Sequence, residues 1–455
     1  MDYGILCIIP PIVVIALAVL LRTSFEPLLI GCLVGFGFIA YKEHTNFFDG
    51  FISSLYKVLE DESTVWVILV CGLYGSLIGL MVRSGGAMRF GQQVLKRLRS
   101  KRAALLGTWG LGLFIFLDDY LHALTLGITM KKVTDHYRAP REYLAYIVNS
   151  TAASWCVVVP LSTWTLFIGS ILEKCKFAEF GRGNHVYLSV IPYVAYGWVA
   201  VLLIPLVIWG LIPLPPKMKK AVQRAEETGI TIPPASGMTA LKMEHFEGGK
   251  PPKTIYFLLP IAVLLVCTFA MDFNALKGVM IAVVFTFLYY YIARLGSFIQ
   301  LSETLFTGFN SMVYALALVV MSYVLKEVGD RMGLTHYVIG GVKPLVSKQL
   351  LPVLIFISIS FITYTTGSSW GVYAVVIPIV IPLAQSVGSN VLASIGAVVS
   401  AGVFGSNACL YSDATILTAQ STECSNYDHS ISQLPLALLS FGLACIVYLV
   451  LGYTV

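Results

Sequence analysis

The sequence predicts an all-α polytopic membrane protein, with about ten transmembrane helices plus two re-entrant hairpins arranged as two inverted-topology repeats. Three observations carry that expectation. Of 455 residues, 57% are hydrophobic and only 12% charged, with mean hydropathy +0.81, whereas an ordinary soluble domain is about 25% charged. Apolar stretches close to the roughly 20 residues that cross a hydrocarbon layer recur along the whole chain. Their order then repeats at an offset near 250 residues. Such a chain cannot clothe itself in a polar surface, so a soluble enzyme, a disordered chain and a secreted disulfide scaffold are excluded. The net charge is +6. No Lys/Arg cluster is interleaved with aromatics on a soluble domain, so the charge reads as topogenic and no nucleic-acid partner is expected.

The first repeat, 1–212, has expected spans at 5–21, 26–41, 64–82, 142–172 and 186–212. The second, 254–455, has them at 254–271, 275–293, 311–325, 391–411 and 433–453. An amphipathic segment, 47–60 or 297–308, sits between the second and third span of each half. Two more apolar regions, 103–130 and 349–385, are broken in the middle, by Asp118-Asp119 in one and by Thr363 to Gly371 in the other. Each is long enough to enter the membrane, turn and leave by the same face. Polar breaks at that depth are tolerated only where they line protein or water, so both read as re-entrant hairpins. Asp118 aligns with Thr366 or Gly367, and Gly85 with Gly333. Each half holds five full spans, an odd number, so the second copy enters upside down. Inverted repeats with broken helices are a signature of secondary transporters.

With the N-terminus outside, the inner side receives Arg22, Arg83 to Arg102, Lys131 to Arg141, the 213–253 linker and Arg294, which together hold 20 of the 30 Lys and Arg. The reverse orientation would expose the dense Lys96-Arg97-Arg99-Lys101-Arg102 cluster, against the positive-inside tendency. The linker, with its prolines and Lys217-Met218-Lys219-Lys220, reads as a plain cytoplasmic tether. Seven of nine cysteines lie in apolar stretches, and Cys175 and Cys424 fall in polar loops on opposite sides, so no structural disulfide is expected. Met1-Asp2 lacks a positive n-region and no A-x-A site follows, so no cleavable signal is expected.

Four stretches carry chemistry. In Phe114-Ile115-Phe116-Leu117-Asp118-Asp119-Tyr120, two adjacent carboxylates fall at mid-membrane, where each costs about 3 kcal/mol or more. The pair argues for a cation or proton site; either Asp alone is as well explained as a half-helix cap. His122 reads as a hydrogen-bonded packing residue. Asn149-Ser150-Thr151-Ala152-Ala153-Ser154 is small and oxygen-rich, read either as close helix packing or as an unwound, Na+-coordinating segment with Pro160 marking a break. Thr363-Tyr364-Thr365-Thr366-Gly367-Ser368-Ser369-Trp370-Gly371 has no lipid-facing composition. Its Gly367 to Gly371 match to the G-x-S-x-G nucleophile pattern lacks the strand, His and acid that pattern needs. Gly405-Ser406-Asn407 through Ser412-Asp413-Ala414-Thr415 closes the set, with Asp413 as an acid at a span end. Glu423, Asp428 and His429 read as solvated loop. No H-E-x-x-H, Walker A, G-x-G-x-x-G or C-x-x-C occurs, so no ATP drive, redox work or cofactor is expected, and the chain is not read as an enzyme.

Phe116-Leu117-Asp118-Asp119-Tyr120 with Gly127, Thr129-Met130, Thr134-Asp135 and Ser150-Thr151-Ala152-Ala153 resembles the NhaC-type sodium/proton antiporter family. The likeness continues in Thr366-Gly367-Ser368-Ser369-Trp370-Gly371, Ile377-Pro378 and Ile381-Pro382. It ends in Val403-Phe404-Gly405, Ser412-Asp413-Ala414-Thr415 and Gln433-Leu434-Pro435. Departures stand at Asn149, where members often carry Asp, at Ser154, where they carry Pro, and at Ser406-Asn407, where they read Asp-His. The resemblance implies a cation-coupled secondary active transporter working by alternating access, by default exchanging Na+ for H+. The alternative is a Na+- or H+-coupled transporter of an amino acid or small organic acid; a passive channel and a membrane hydrolase rank behind.

Cation or proton binding is then expected at Asp118, Asp119, Asn149, Ser150, Thr151 and Asp413, with Na+ held by Asp118, Asn149, Thr366 and Ser369. Lining positions are Thr365, Thr366, Gly367, Ser368, Ser369, Trp370, Ser406, Asn407, Ser412 and Thr415. The expected partners are membrane lipid, an inorganic cation and, under the alternative, a small organic solute. The expected location is a bacterial inner membrane, and a homodimer is compatible with the plan.

Overall fold

A computed structural model describes residues 3–454, apart from 22–24, 87–88, 91–92, 94–97, 117–118, 161, 180–181, 235–250, 272–273, 311, 335–336, 338–346 and 368. Asp118, Ser368, Lys96-Arg97 and much of the linker therefore lie outside the described residues. Every regular element among those described is a helix, the structure that satisfies backbone polar groups without help from solvent. The chain is an integral membrane protein.

A 3-10 turn (Gly4–Ile8) leads into α1 (Ile9–Leu21), followed by α2 (Phe25–Glu43), α3 (Phe47–Glu60) and α4 (Glu62–Arg83). Then come α5 (Lys101–Phe114), α6 (Asp119–His136), α7 (Arg141–Cys156), α8 (Thr163–Lys174), α9 (Gly183–Val190) and α10 (Ala195–Trp209). α11 (Pro216–Thr228) opens the linker. The second half runs α12 (Ile255–Ala270), α13 (Ala275–Ile292), α14 (Phe298–Asn310), α15 (Val313–Met332), α16 (Leu351–Thr366), α17 (Trp370–Ser386), α18 (Val391–Ala408), α19 (Asp413–Thr422) and α20 (Asn426–Thr454).

Four of these helices are long and apolar enough to cross a hydrocarbon layer alone: α2, α4 from Thr64, α18 and α20. Gly183–Tyr193 with α10 makes a fifth, bent by 56°. The expected span 142–172 is two helices, interrupted over 157–162 around Pro160, which has no amide to donate. The span expected at 391–411 likewise breaks over 409–412 and resumes as α19. α20 starts seven residues before the expected 433, and His429, expected in a solvated loop, is buried on it. α16 stops where Gly367 adopts φ +68° and its amide donates to the Thr363 carbonyl. Gly85 and Gly333, aligned by sequence, both carry positive φ, 71° and 76°, and both follow a helix end. This is the left-handed conformation that glycine tolerates best.

α3 is held at its start by the Asn46 side chain, which accepts from the amides of Phe48 and Asp49. It keeps Phe48 and Tyr56 exposed while burying Ser54 and Val58. α14 does the same with Phe298 and Phe306 outside and Leu301 and Thr304 inside. α3 packs on α15, and α4 on α14. At the second crossing Gly75 meets Gly308 backbone to backbone: a Cβ at Gly75 would come within 2.5 Å of the Gly308 carbonyl oxygen.

Two large apolar cores result. One joins α1–α4 with α12–α15 and takes in parts of α6 and α19. The other joins α7–α10 with α16–α18 and α20. The two meet along a seam: Tyr364 packs against both, and the chain passes from the second to the first between Ala408 and Cys409.

The start of the linker is not a free tether. Met218 and Ala225 of α11 are fully buried, and Arg224 donates both guanidinium amines to the Glu142 carboxylate, each at 3.0 Å. Lys101 pairs with Glu226 at 2.9 Å, and Thr231 donates to Asp135 at 2.7 Å. Asp135 also takes two bonds from Arg141. Glu423, expected as solvated loop, instead pairs with Lys131 and lies 3.6 Å from Arg141.

Candidate functional site

Asp413 is the first residue of α19, where unpartnered amides and the helix dipole favour negative charge. Ser412 caps the same helix, its hydroxyl accepting from the Thr415 amide. Asp413 is buried. The Tyr120 hydroxyl donates to its Oδ2 at 2.5 Å and the Tyr323 hydroxyl to the same oxygen at 3.4 Å, while Oδ1 accepts from the Ala414 amide at 2.8 Å. The ion pairs among the described residues all lie elsewhere. Asp413 is thus not an interfacial acid but a buried carboxylate served by hydroxyls and an amide.

Asp119 opens α6 and is equally buried, accepting from the Trp164 indole N–H at 2.9 Å. Its chain neighbour Tyr120 is the residue that reaches Asp413, so the two acids flank one tyrosine that crosses between the halves of the sequence. α6 and α19 pack closely along their length. A Cβ at Gly127 would overlap Ser421 Oγ, at 2.1 Å.

Residues at the facing ends of α16 and α17 supply the other wall. Trp370 lies 4.6 Å from Phe167 and 5.4 Å from Trp164, ring centre to ring centre. The Ser369 hydroxyl donates to the Gly402 carbonyl at 2.8 Å and sits 2.9 Å from Ser406 Oγ. The Ser406 carbonyl in turn accepts from Ser412 and Thr415 at 2.8 and 3.0 Å. Tyr411 donates to the Thr365 carbonyl at 2.8 Å and packs against Gly367. The structure therefore brings Asp119, Asp413, Ser369, Trp370, Ser406, Ser412 and Thr415 into one connected network.

Other expected site residues stand differently. Thr151, Thr365 and Thr366 each turn the hydroxyl back onto a carbonyl of their own helix, leaving only lone pairs for a ligand. Ser150 is buried on α7. The stretch 149–154 is helical, not unwound; the interruption falls at 157–162, past the small residues that let neighbouring helices close in. Asn149 reaches Thr415 at 3.4 Å and His429 at 3.2 Å. It is tied to α19 and α20. Of the expected Na+ set, Asn149 shares no described bond with Thr366 or Ser369, and Asp118 lies outside the described residues.

Sequence reasoning missed Trp164, Tyr323, His429 and Gln433. The last two lie four apart on a buried helix face, a polar i, i+4 pair within an apolar run, which was the available signal.

A cavity of about 350 Å³ opens beside this network, lined by Lys57, Asp61, Tyr323, Lys326, Trp370 and Gly371 among others. Tyr323 lines the cavity and donates to Asp413, so this side chain stands between the cavity and the buried acid. Lys326 lies over Gly371: a Cβ there would meet its Cε at 2.4 Å. Among the described residues no cluster of His, Cys, Asp and Glu suits a resident metal ion.

Residues 156–453 match the Na+/H+ antiporter family. That stretch contains Trp164, Tyr323, Ser369 and Asp413. An uncharacterized protein of Haemophilus influenzae is 26% identical to this chain, over 98% of this chain and 91% of its own length.

Proposed function

This chain belongs to the Na+/H+ antiporter family, and from that premise we propose that it is a secondary active transporter of the NhaC type, exchanging Na+ for H+ by alternating access. The observation that carries the reading is Asp413, a buried carboxylate at a half-helix N-terminus whose described partners are Tyr120, Tyr323 and its own helix. A carboxylate cannot stay charged and uncompensated in a dry seam. It holds either a proton or a cation, and that exclusivity is what exchange requires. The two tyrosine hydroxyls and the α19 dipole steady the anion after the proton leaves. Asp119, held by Trp164, is the second acid of the site, and Asp118 stands beside it in the sequence. Ser369, Ser406 and Thr415 supply neutral oxygens along the wall.

The breaks in the helices suit this role, because half-helix ends expose backbone groups only where they line a site. Two cores meeting at the seam, with hairpin-like elements α5–α6 and α16–α17 in matching order, are the parts an inverted-repeat transporter would rock against each other. The positive-inside pattern favours a cytoplasmic linker, an external N-terminus and residence in a bacterial inner membrane.

The cavity beside Tyr323 and Trp370 supports a second reading. Its volume exceeds what a dehydrated cation needs, and its wall carries both signs of charge, Lys57 and Lys326 beside Glu60, Asp61 and Glu327, a lining suited to the coupled movement of an amino acid.

The discriminating experiment uses proteoliposomes with a trapped pH dye, pulsed with Na+, Li+ or K+ and no organic solute. Na+-triggered proton release from acid-loaded vesicles supports exchange. Silence in folded protein, with solute uptake under a Na+ gradient, supports the second reading.

A further inference from the structure

Behind the carboxylate site lies a cluster with no charge. Three amide side chains, Asn149 on α7, Asn407 on α18 and Gln433 on α20, are buried to 2% exposure or less. Each uses its NH2 group on a protein partner: Asn149 on His429 and Thr415, Asn407 on Ser154 and Tyr196, Gln433 on the Asn407 backbone carbonyl. Each leaves its side-chain carbonyl oxygen without a partner among the described residues. The links close into a ring. Asn149 joins His429; one turn of α20, about 6 Å, leads to Gln433. Gln433 joins Asn407, Asn407 joins Ser154, and about 7.5 Å of α7 returns to Asn149.

Buried acceptors are rarely left open, and three of one kind on one ring specify the missing ligand by its chemistry. Three amide oxygens on the ring have no partner among the described residues, against one N–H of Gln433 beyond its bond to the Asn407 backbone and the Nδ1 of His429, so acceptors outnumber donors and a cation is better served than an anion. What fits is a positively charged group that takes hard, neutral oxygens. We propose that Asn149, Asn407 and Gln433 form a second monovalent-cation site, uncharged and separate from Asp119 and Asp413, which holds Na+ by amide oxygens. With no acid among its ligands, this site binds Na+ without releasing a proton. Its ion is therefore carried with, or held beside, the exchange at Asp413 rather than traded for H+.

The test is thermal unfolding of the purified full chain in NaCl, KCl or choline chloride at equal ionic strength, in wild type and in Asp413→Asn. The proposal expects Na+-specific stabilisation that survives Asp413→Asn. In that variant the half-saturating Na+ concentration should stay constant between about pH 6 and pH 8, where carboxylate-bound Na+ would compete with protons. Gln433→Leu, checked for folding by gel filtration, should raise the half-saturating concentration about tenfold. Should that variant fail to fold, Asn407→Asp provides the converse reading: Na+ should bind more tightly and become sensitive to pH. Absence of Na+-specific stabilisation in wild type overturns the proposal. So does stabilisation lost in Asp413→Asn yet intact in Gln433→Leu, which would assign the ion to the carboxylate site and leave the exchange reading untouched.

Discussion

Asp413 shows how one residue's meaning depends on its neighbours. In the sequence it stands at the end of an apolar run, where an acid facing the interface is a serious competitor. In the fold it starts a half-helix and takes hydroxyls from Tyr120 and Tyr323, residues 293 and 90 positions away. Local pattern could not supply those partners, because both come from elements brought together only by packing. Asp119 was legible for the opposite reason: two adjacent acids in an apolar stretch are costly wherever they point. Asp413→Asn should lower Na+-driven proton movement at least a hundredfold, about 3 kcal/mol for a charged ligand lost from a dry site. Tyr323→Phe removes only the longer of two bonds and should slow exchange by roughly three- to tenfold, near the worth of one such bond. Initial rates from the trapped dye measure both.

At the scale of elements, the helix ends near Asp119 and Gly367 were legible, while the break within 142–172 was misplaced and that at 409–412 was not anticipated. Apolar length alone places α2, α4 and α20. The interruption of 142–172 falls beyond the run of small polar residues that suggested it, because Ser150, Thr151 and Ser154 sit well inside a helix packed on all sides. Pro160 was the better guide. The crossing of α4 and α14 through Gly75 and Gly308 was invisible for want of any motif, since isolated glycines are common in membrane helices. Gly75→Val puts a branched side chain where a carbonyl oxygen lies 2.5 Å from a Cβ. It should cost about 1–3 kcal/mol, seen as a lower midpoint in detergent thermal unfolding.

α11 is a further case of an element whose role the sequence hid. Its basic, proline-flanked composition reads as a tether, but Arg224 is matched to Glu142, 82 positions away. Removing one partner of a mostly buried, two-bonded pair is strongly destabilising. Arg224→Ala should therefore free the linker and speed its trypsin cleavage at Lys217 and Lys219 several-fold.

For the whole molecule, composition settles the solvent and charge proposes the orientation. The ion network of Lys131, Asp135, Arg141, Glu142, Arg224 and Glu423 gathers at the end that the charge pattern assigns to the cytoplasm. The cavity at Lys57, Asp61 and Lys326 lies at the end assigned to the outside. Cysteines introduced in a cysteine-free background, at Thr45 and Lys220, both exposed, test this orientation. An impermeant maleimide should label Thr45→Cys from outside intact cells and Lys220→Cys only after lysis; the reverse pattern would invert the topology.

The central claim is that Na+ and H+ take turns at buried carboxylates. Its most direct measurement is the Na+ concentration giving half-maximal proton release in proteoliposomes, followed as a function of pH. Competition for the same oxygens predicts that this concentration rises about tenfold for each unit of acidification below the carboxylate's own titration, and that Asp413→Asn abolishes the signal. A half-saturation that stays constant across pH, or an Asp413→Asn variant that exchanges at the wild-type rate, would contradict it.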